Sequence, residues 1–430
     1  MTWTDQSEHS AVAPVQPAER IPTLDMVRGF ALFGILTVNM FFFSHPFQDL
    51  LLPPPSEATW YDRLATWLVR LLSEGKFYPL FSLLFGLGFA LQLERARARG
   101  GRFAPLYLRR LLVLLGVGLV HACLIWVGDI LVLYAVLGAV LLLFAGVRRP
   151  RTLLIWAAIF FTAPHLITFA LASLVELARL MPGGAAQIEA VFAEQEAMFR
   201  QQREEAIAIY SAGSFAEITA QRARDLQTIW LGTLVMAPMV MTMFLIGTVL
   251  GRQRVFRDIP AHWRLWRRLV IWGFAIGLPA NLLYTVMAEN VQRAEFGWQL
   301  AWMNLALGIG GLAQSLAYLG ALTLLAGRMP WQRWLGALRP AGQMALSNYL
   351  LQSIVATLIF YGYGLGLFNQ VGMALGLLMA LLIYLAQIPL SHWWMARFRY
   401  GPAEWLWRSL TYLRPQPMRQ APSSASKTAV

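Results

Sequence analysis

The sequence predicts an all-α protein: a polytopic integral membrane bundle of about ten transmembrane helices with both termini cytoplasmic. Three observations carry that expectation. Of 430 residues, 58% are hydrophobic and only 13% charged, and the mean hydropathy is +0.53. A soluble domain carries about 25% charged residues, so this chain lacks the polar surface to cover a water-facing globule, and it is too apolar to be disordered. Second, the apolar residues fall in runs near the ~20 residues a helix needs to cross hydrocarbon. Third, basic clusters recur after every second run, as they do when a chain is threaded back and forth with its positive loops on one side.

The expected spans are residues 26–44, 76–93, 106–127, 130–147, 152–175, 229–250, 268–287, 298–326, 342–361 and 370–394. Pro22 and Thr23 lead into the first, and its Gly29 and Gly34 are flat positions for close helix packing. Residues 58–74 have an apolar face broken by Asp62, Arg63 and Arg70, which predicts an interfacial helix on the outer face. Counting that segment as a span would invert every later loop. The second span carries Gly86 and Gly88, a packing face. Arg109 and Arg110 edge the third, where long side chains can snorkel. Stretches such as 111–120 and 371–385 lack the polar stripe of a soluble helix. Pro164 and His165 lie in the fifth, where a kink and a local bond are expected.

Residues 177–228 form the longest polar segment. Met181-Pro182-Gly183-Gly184 stops one helix, an amphipathic helix follows, and Gly213-Ser214 starts another, so an extracytoplasmic helical cap, or a lid over a substrate, is expected. Residues 401–413, with Trp405 and Trp407, predict a second interfacial helix on the inner face. The chain thus divides into a tail (1–19), a five-helix half (20–176), the outer insertion (177–228), a second five-helix half with its inner interfacial helix (229–414) and a tail (415–430), both tails expected to be disordered. Residues 1–20 contain no apolar region, so no cleavable signal peptide is expected. No internal repeat is visible.

Charge sets the orientation. The net charge of +13 comes from 35 basic and 22 acidic residues. Six Arg lie in 95–110, three in 148–151, six in 252–268, three in 328–339, and five Arg with one Lys in 397–427. With these inside, the outer segments hold nine basic and fifteen acidic residues, a balance of −6, and the inner side holds the other 26 and 7, a balance of +19. The basic balance is therefore a topology signal and argues against nucleic acid as a partner. Acidic membrane lipids are the expected inner neighbours. One cysteine, Cys123, allows no intramolecular disulfide and no cysteine-based metal site, and no metal centre is expected.

Ionisable and amide residues in apolar spans are expensive and point to function. Asp25 and Arg28 are at i, i+3 on one face at the inner interface, close enough to pair. Asn39 lies eleven residues on, about 16 Å along the axis, and His45 follows at the outer end. His121 is mid-span, and Asp129 sits in the next turn beside Gly128, where it could be a plain N-cap. Eight residues of unbroken helix would separate these two by about 12 Å, so direct pairing requires a chain reversal or a water. A histidine titrates near ~6.5, which makes His121 the best general-base candidate. Asn348 and Gln352 share a face of the span at 342–361, as glue between helices or as a substrate contact. Glu404 and Arg408 are at i, i+4, an ordinary surface pair unless they dock against Asp25 and Arg28. No phosphate loop, nucleophile elbow or zinc helix is present.

Five segments, LDMVRGFALFGILTVN, FSLLFGLGFAL, HACLIWVGDILVLYA, GQMALSNYLLQS and GPAEWLWRSLTY, occur in this order. In combination they resemble the YeiB family of bacterial inner-membrane proteins, labelled domain of unknown function 418, over residues 20–414. The resemblance implies a multi-pass helical protein of the bacterial cytoplasmic membrane and no established reaction. Leu24, Asp25, Arg28 and Gly29, with Asn39, also resemble the opening of the wider transmembrane acyltransferase superfamily. That likeness implies acyl-CoA as a cytoplasmic donor, Asp25 and Arg28 at the donor mouth, Asn39 along the channel and a histidine, His45 or His121, in the transfer. Three functions remain open: transfer of an acyl group to an extracytoplasmic or lipid acceptor, transport or flipping of an anionic lipid or metabolite, and non-catalytic lipid or quinone binding. Asp129, Asn348, Gln352, Glu404 and Arg408 join Asp25, Arg28 and Asn39 as candidate substrate or donor contacts.

Overall fold

A computed structural model describes residues 20–53, 59–290 and 296–420. The expected tail at 1–19, and residues 421–430 of the other, lie outside the described residues. The described chain is helical: α1 (Pro22–Ser44), α2 (Trp60–Leu72), α3 (Phe77–Ala98), α4 (Phe103–Val120), α5 (Leu131–Leu141), α6 (Pro150–Arg179), α7 (Gly184–Ala212), α8 (Phe215–Arg252), α9 (Trp263–Asn290), α10 (Trp298–Ala326), α11 (Trp331–Ala337), α12 (Arg339–Gln343), α13 (Ala345–Phe360), α14 (Met373–Met395) and α15 (Pro402–Tyr412). Phe398 and Arg419 form an isolated antiparallel bridge, so residues up to 420 fold back onto the turn after α14.

Among the described residues, eight helical segments are long and apolar enough to cross a membrane. Two of the ten expected spans are shorter helices, Leu131–Phe144 and Ala345–Phe360. Each has a local cause. The first begins only after the turn that holds Asp129. The stretch at 342–361 is two pieces, α12 and α13, broken at Met344. The amphipathic segment at 58–74 is α2, capped by Thr59 and packed against α9 and α14. The second helix of the outer insertion begins at a capping box, Ser214 with Glu217, and continues without interruption into the bilayer as α8.

Burial separates interior from lipid-facing helices. In α10, 61% of the most apolar window is buried, against 11% in α6, so α6 presents its leucines and isoleucines outward, as a lipid-facing helix does. The centre is α1, which packs on α3, α10, α12, α13 and α14. His165, in α6 beside Pro164, bonds the carbonyl of Phe161 at 2.6 Å, the local bond expected.

Bonds between loops define two ends. At the basic end, Arg97 reaches the carbonyl of Ala145 (2.8 Å), Arg252 that of Phe144 (3.1 Å), His392 that of Ala337 (2.9 Å), and Trp407 donates to the carbonyl of Arg110 (2.8 Å). At the other, cap end, Arg203 of α7 pairs with Asp49 at 2.5 Å, and the amide of Gly362 donates to the carbonyl of Tyr210 at 2.8 Å.

Two helix crossings need glycine. A Cβ on Gly86 would lie 2.0 Å from the carbonyl oxygen of Phe244, and one on Gly247 would lie 1.9 Å from that of Leu83, so α3 and α8 touch backbone to backbone. Gly29 and Gly342 do the same for α1 and α12, with Gly342 against the carbonyl of Asp25. Gly88 differs from Gly86: its nearest neighbour is the Gln92 amide at 3.9 Å. We expect Gly86→Ala to force α3 and α8 apart and to lower stability by about 1–3 kcal/mol. Gly88→Ala should be neutral or stabilising by up to about 1 kcal/mol through helix propensity. Apparent unfolding midpoints of the two purified variants give the comparison, and equal shifts would show that the crossing tolerates a methyl.

Candidate functional site

The chain reversal that His121 and Asp129 require is present. At the end of α4 the helix widens into one π-turn, His121–Ile125, and then breaks at Trp126, which adopts an extended backbone (φ −156°, ψ 132°). The chain turns through Gly128 and returns as α5. This brings Asp129 back over His121, with Nδ1 of the imidazole 2.7 Å from Oδ2 of the carboxylate. The other carboxylate oxygen accepts the backbone N–H of Val132 at 2.8 Å. Asp129, just before the Ile130 N-cap of α5, therefore both holds a first-turn N–H of that helix and partners the histidine.

The second ring nitrogen completes a chain of three. Nε2 of His121 lies 2.9 Å from Oγ of Ser353 on α13. His121 and Ser353 are fully buried and Asp129 is nearly so. In the tautomer with the proton on Nδ1, that nitrogen donates to the carboxylate and Nε2 can accept from the serine hydroxyl. The hydroxyl has one proton and two acceptors in reach, Nε2 and the carbonyl of Tyr349 at 3.3 Å. Tyr349 packs on the imidazole, ring centroids 5.0 Å apart, and donates to the carbonyl of Gly128. Trp126 and Tyr349 share an apolar cluster with Ala206 and Tyr210 of α7 and Ile218 of α8, so the cap covers this site.

Arg222, on α8, enters the same turn. Its side chain is fully buried, and Nη1 donates to the carbonyl of Cys123 at 3.0 Å. Nε and Nη2 have no partner among the described residues. The acid one turn away, Asp225, instead accepts from Tyr210 (2.7 Å) and Gln221 (2.9 Å). A buried positive charge with two unsatisfied edges thus lies beside the π-turn.

From Ser353 toward the basic end, α13 carries one polar face. Gln352 donates to Gln387 of α14 at 2.8 Å, and Asn348 donates to Ser391 at 3.0 Å. Gln387 returns a bond to the carbonyl of Asn348. At the start of α13, Glu404 of α15 accepts from the N–H groups of Leu346 (2.7 Å) and Ser347 (3.1 Å) and from the Ser347 hydroxyl (2.5 Å). Its carboxylate caps a helix N-terminus, where negative charge is favoured, while burial pushes its pKa up. The surface pair expected with Arg408 is not formed, because the carboxylate is turned into the bundle and Arg408 stacks over Tyr400 at 4.8 Å.

Asp25 pairs with Arg28 at 2.8 Å, as their spacing implied, and also accepts from Gln343 of α12 at 3.3 Å. Asn39 is half-buried on α1 and makes no side-chain hydrogen bond among the described residues. His45 stacks on Phe41 and bonds Ser44 at 2.8 Å, and burial lowers its pKa. It has no bond to the Asp129–His121–Ser353 chain. Ser353 and Arg222 were not singled out from the sequence. A serine is unremarked in a membrane helix, and Arg222 sits among the charges of a polar segment.

The family described as Protein of unknown function (DUF418) matches residues 250–414. The Uncharacterized protein YxaH of Bacillus subtilis (strain 168) is 36% identical, over 95% of this chain and 98% of that protein. The Uncharacterized protein YeiB of Escherichia coli (strain K12) is 30% identical, over 96% and 100%. An Uncharacterized 39.9 kDa protein in the amylase 3' region of Bacillus acidopullulyticus is 29% identical, over 94% and 97%. No solved structure matches the chain.

The bond pattern orders the effects of truncation. Asp129→Ala leaves two buried groups, Nδ1 of His121 and the N–H of Val132, unpaired, whereas Ser353→Ala, which removes the contacts to Nε2 and to the Tyr349 carbonyl, leaves only Nε2 without its partner. Each buried group left unpaired costs about 1–3 kcal/mol. Asp129→Ala should therefore lower the apparent unfolding midpoint further than Ser353→Ala in the same detergent. Equal shifts would mean that the Asp129 contact with α5 contributes nothing.

Proposed function

This chain belongs to the DUF418, or YeiB, family, and we propose that this membrane protein transfers an acyl group from a cytoplasmic donor to an acceptor at the cap end. The observation that carries the proposal is the buried hydrogen-bonded chain Asp129–His121–Ser353. A carboxylate on one ring nitrogen and a hydroxyl on the other is the arrangement that activates a serine nucleophile, recognised by geometry whatever the fold.

The donor is a substrate thioester such as acyl-CoA. Oγ of Ser353 attacks the thioester carbonyl carbon while its proton passes to Nε2 of His121. The C–S bond breaks, and the thiolate leaves with that proton. The acyl group is then held as an ester on Ser353. An acceptor hydroxyl gives its proton to Nε2 and attacks the ester, the C–Oγ bond breaks, and Ser353 takes the proton back. Asp129 holds the ring with Nδ1 protonated and stabilises the imidazolium formed in each half. Arg222 adds buried positive charge that favours the developing oxyanion. The packing of Trp126, Tyr349 and the cap keeps water from the ester.

The charge asymmetry of the loops supports a cytoplasmic basic end, and the three bacterial relatives support the bacterial cytoplasmic membrane as its location. Donor contacts then fall to Asp25, Arg28 and the α15 segment, and the acceptor enters from the cap end. A second reading, transport of an anionic lipid or metabolite, is favoured by the polar face of α13, which offers hydrogen bonds at successive depths.

Intact-mass spectrometry of the purified protein incubated with acetyl-CoA and longer acyl-CoAs tests the proposal. We expect an acyl adduct on Ser353 with release of free CoA. Ser353→Ala should abolish the adduct, and His121→Ala and Asp129→Asn should slow its formation on the order of 10²–10⁴-fold. No adduct and no CoA release across the acyl series would overturn acyl transfer. Uptake of a labelled anionic lipid or metabolite into proteoliposomes without such release would favour transport.

A further inference from the structure

The basic end holds a group of arginines that includes Arg28 and Arg408, the latter on the α15 segment proposed as a donor contact, and extends beyond them. Arg20 precedes α1, Arg28 lies one turn inside it, Arg110 is on α4 and Arg408 on α15. Arg20 lies within electrostatic range of Arg408, Asp25 and Arg28, and Arg110 within range of Arg408 and Arg28. Three separate stretches of chain, the start of α1, α4 and α15, therefore bring four guanidinium groups together.

Neutralisation is incomplete. Asp25 pairs with Arg28. Among the described residues, no carboxylate lies within ion-pair distance of Arg20, Arg110 or Arg408. The acid that could serve, Glu404, is one turn from Arg408 but bonded into the start of α13. Other arginines at this end are occupied: Arg97 and Arg252 on backbone carbonyls and Arg254 on Glu94. Burial first, and then the charge of Arg408, lower the pKa of Arg20, while Asp25 and Tyr400 act in the opposite direction.

Aromatic rings orient the group. Arg110 lies 4.0 Å from the ring centroid of Trp407, and Arg408 and Arg20 lie 4.8 and 5.9 Å from that of Tyr400. A guanidinium stacked by its face keeps its N–H edges free to donate in plane, the geometry that suits phosphate oxygens. Arg28 retains 31% of its side-chain exposure, so a ligand can reach the cluster.

We propose that Arg20, Arg28, Arg110 and Arg408, framed by Tyr400 and Trp407, form a binding site for a ligand bearing phosphate groups with at least two negative charges. The ligand is either a soluble phosphate ester or diphosphate, or the head group of an anionic phospholipid. The site deepens the donor-end reading through Arg28 and α15, but phosphate binding is measured without any adduct on Ser353, so the two can fail separately.

The test uses the full chain in detergent and in nanodiscs. In the soluble arm, sodium pyrophosphate is titrated and binding is followed by thermal shift. In the lipid arm, native mass spectrometry counts phosphatidylglycerol retained against phosphatidylcholine. One of the two should bind wild type and weaken about tenfold or more in Arg20→Gln/Arg408→Gln. Arg397→Gln, which removes an arginine stacked on Trp393 at the same end, should bind as wild type. Pyrophosphate binding identifies a soluble ligand; retained phosphatidylglycerol without it identifies a lipid. Phenylglyoxal labelling of wild type, mapped by peptide mass, removes dependence on variant folding: the bound probe should protect Arg20, Arg110 and Arg408. Absence of binding in both arms, equal weakening by Arg397→Gln, or no protection would overturn the site.

Discussion

A polar group inside a bilayer has no water to fall back on, so it must find its partner in the protein. That constraint falls most heavily on α13. Its polar face engages Glu404 of α15, Gln387 and Ser391 of α14, and His121 at the end of α4. Gln343, just before it, bonds Asp25 of α1. Four separate stretches of the fold are thus tied to one short helix and its approach. The brevity of α13 follows from the same demand. The break at Met344 frees the N–H groups of Leu346 and Ser347, and Glu404 occupies them. A continuous helix through 342–361 would have satisfied those donors internally and left the Glu404 carboxylate buried without a partner.

The large features were legible in the sequence because they are sums over many residues. Apolar runs long enough for lipid set the helices, and the Gly213-Ser214 break set the start of α8. Pairing at i, i+3 placed Arg28 on Asp25 correctly. Features that depend on one backbone torsion were not legible. His121 and Asp129 are eight residues apart, and whether they meet turns on a π-turn and one extended residue, Trp126. Periodicity carries no trace of either. Glu404 shows a different failure: its spacing to Arg408 fits a surface pair equally well, but the start of α13 offers two N–H groups and a hydroxyl, a stronger set than one exposed guanidinium.

Arg222 illustrates how a charge can be misjudged from its neighbourhood. It lies in the segment that caps the bundle, among residues counted toward the outer charge balance. Yet its side chain passes inward to the carbonyl of Cys123 and is fully buried. Its position follows from the uninterrupted run of α8 from cap to membrane. The helix that carries the cap is also one of the bundle helices, so the cap is anchored directly over the π-turn. Cap and π-turn are therefore joined through one continuous helix.

The two ends of α13 differ in a way that bears on direction. At the basic end Asp25 pairs with Arg28, no carboxylate among the described residues pairs with Arg20, Arg110 or Arg408, and Glu404 is committed to the start of α13. At the cap end the histidine chain is enclosed by Trp126, Tyr349 and Tyr210 and sealed from water. Ser347 and Ser353 are six residues apart, about 9 Å along the helix, so an anion anchored near Arg408 and a group reacting at Ser353 belong to one elongated molecule or to two that meet. An acyl donor with a phosphate-bearing head fits the first case, with the head held by the arginines and the acyl carbon delivered along α13. A transported anion fits less well, because a carrier must release its cargo at both ends, and four clustered guanidinium groups would hold an anion at one of them. The asymmetry of charge along a single helix is thus an argument for transfer over passage.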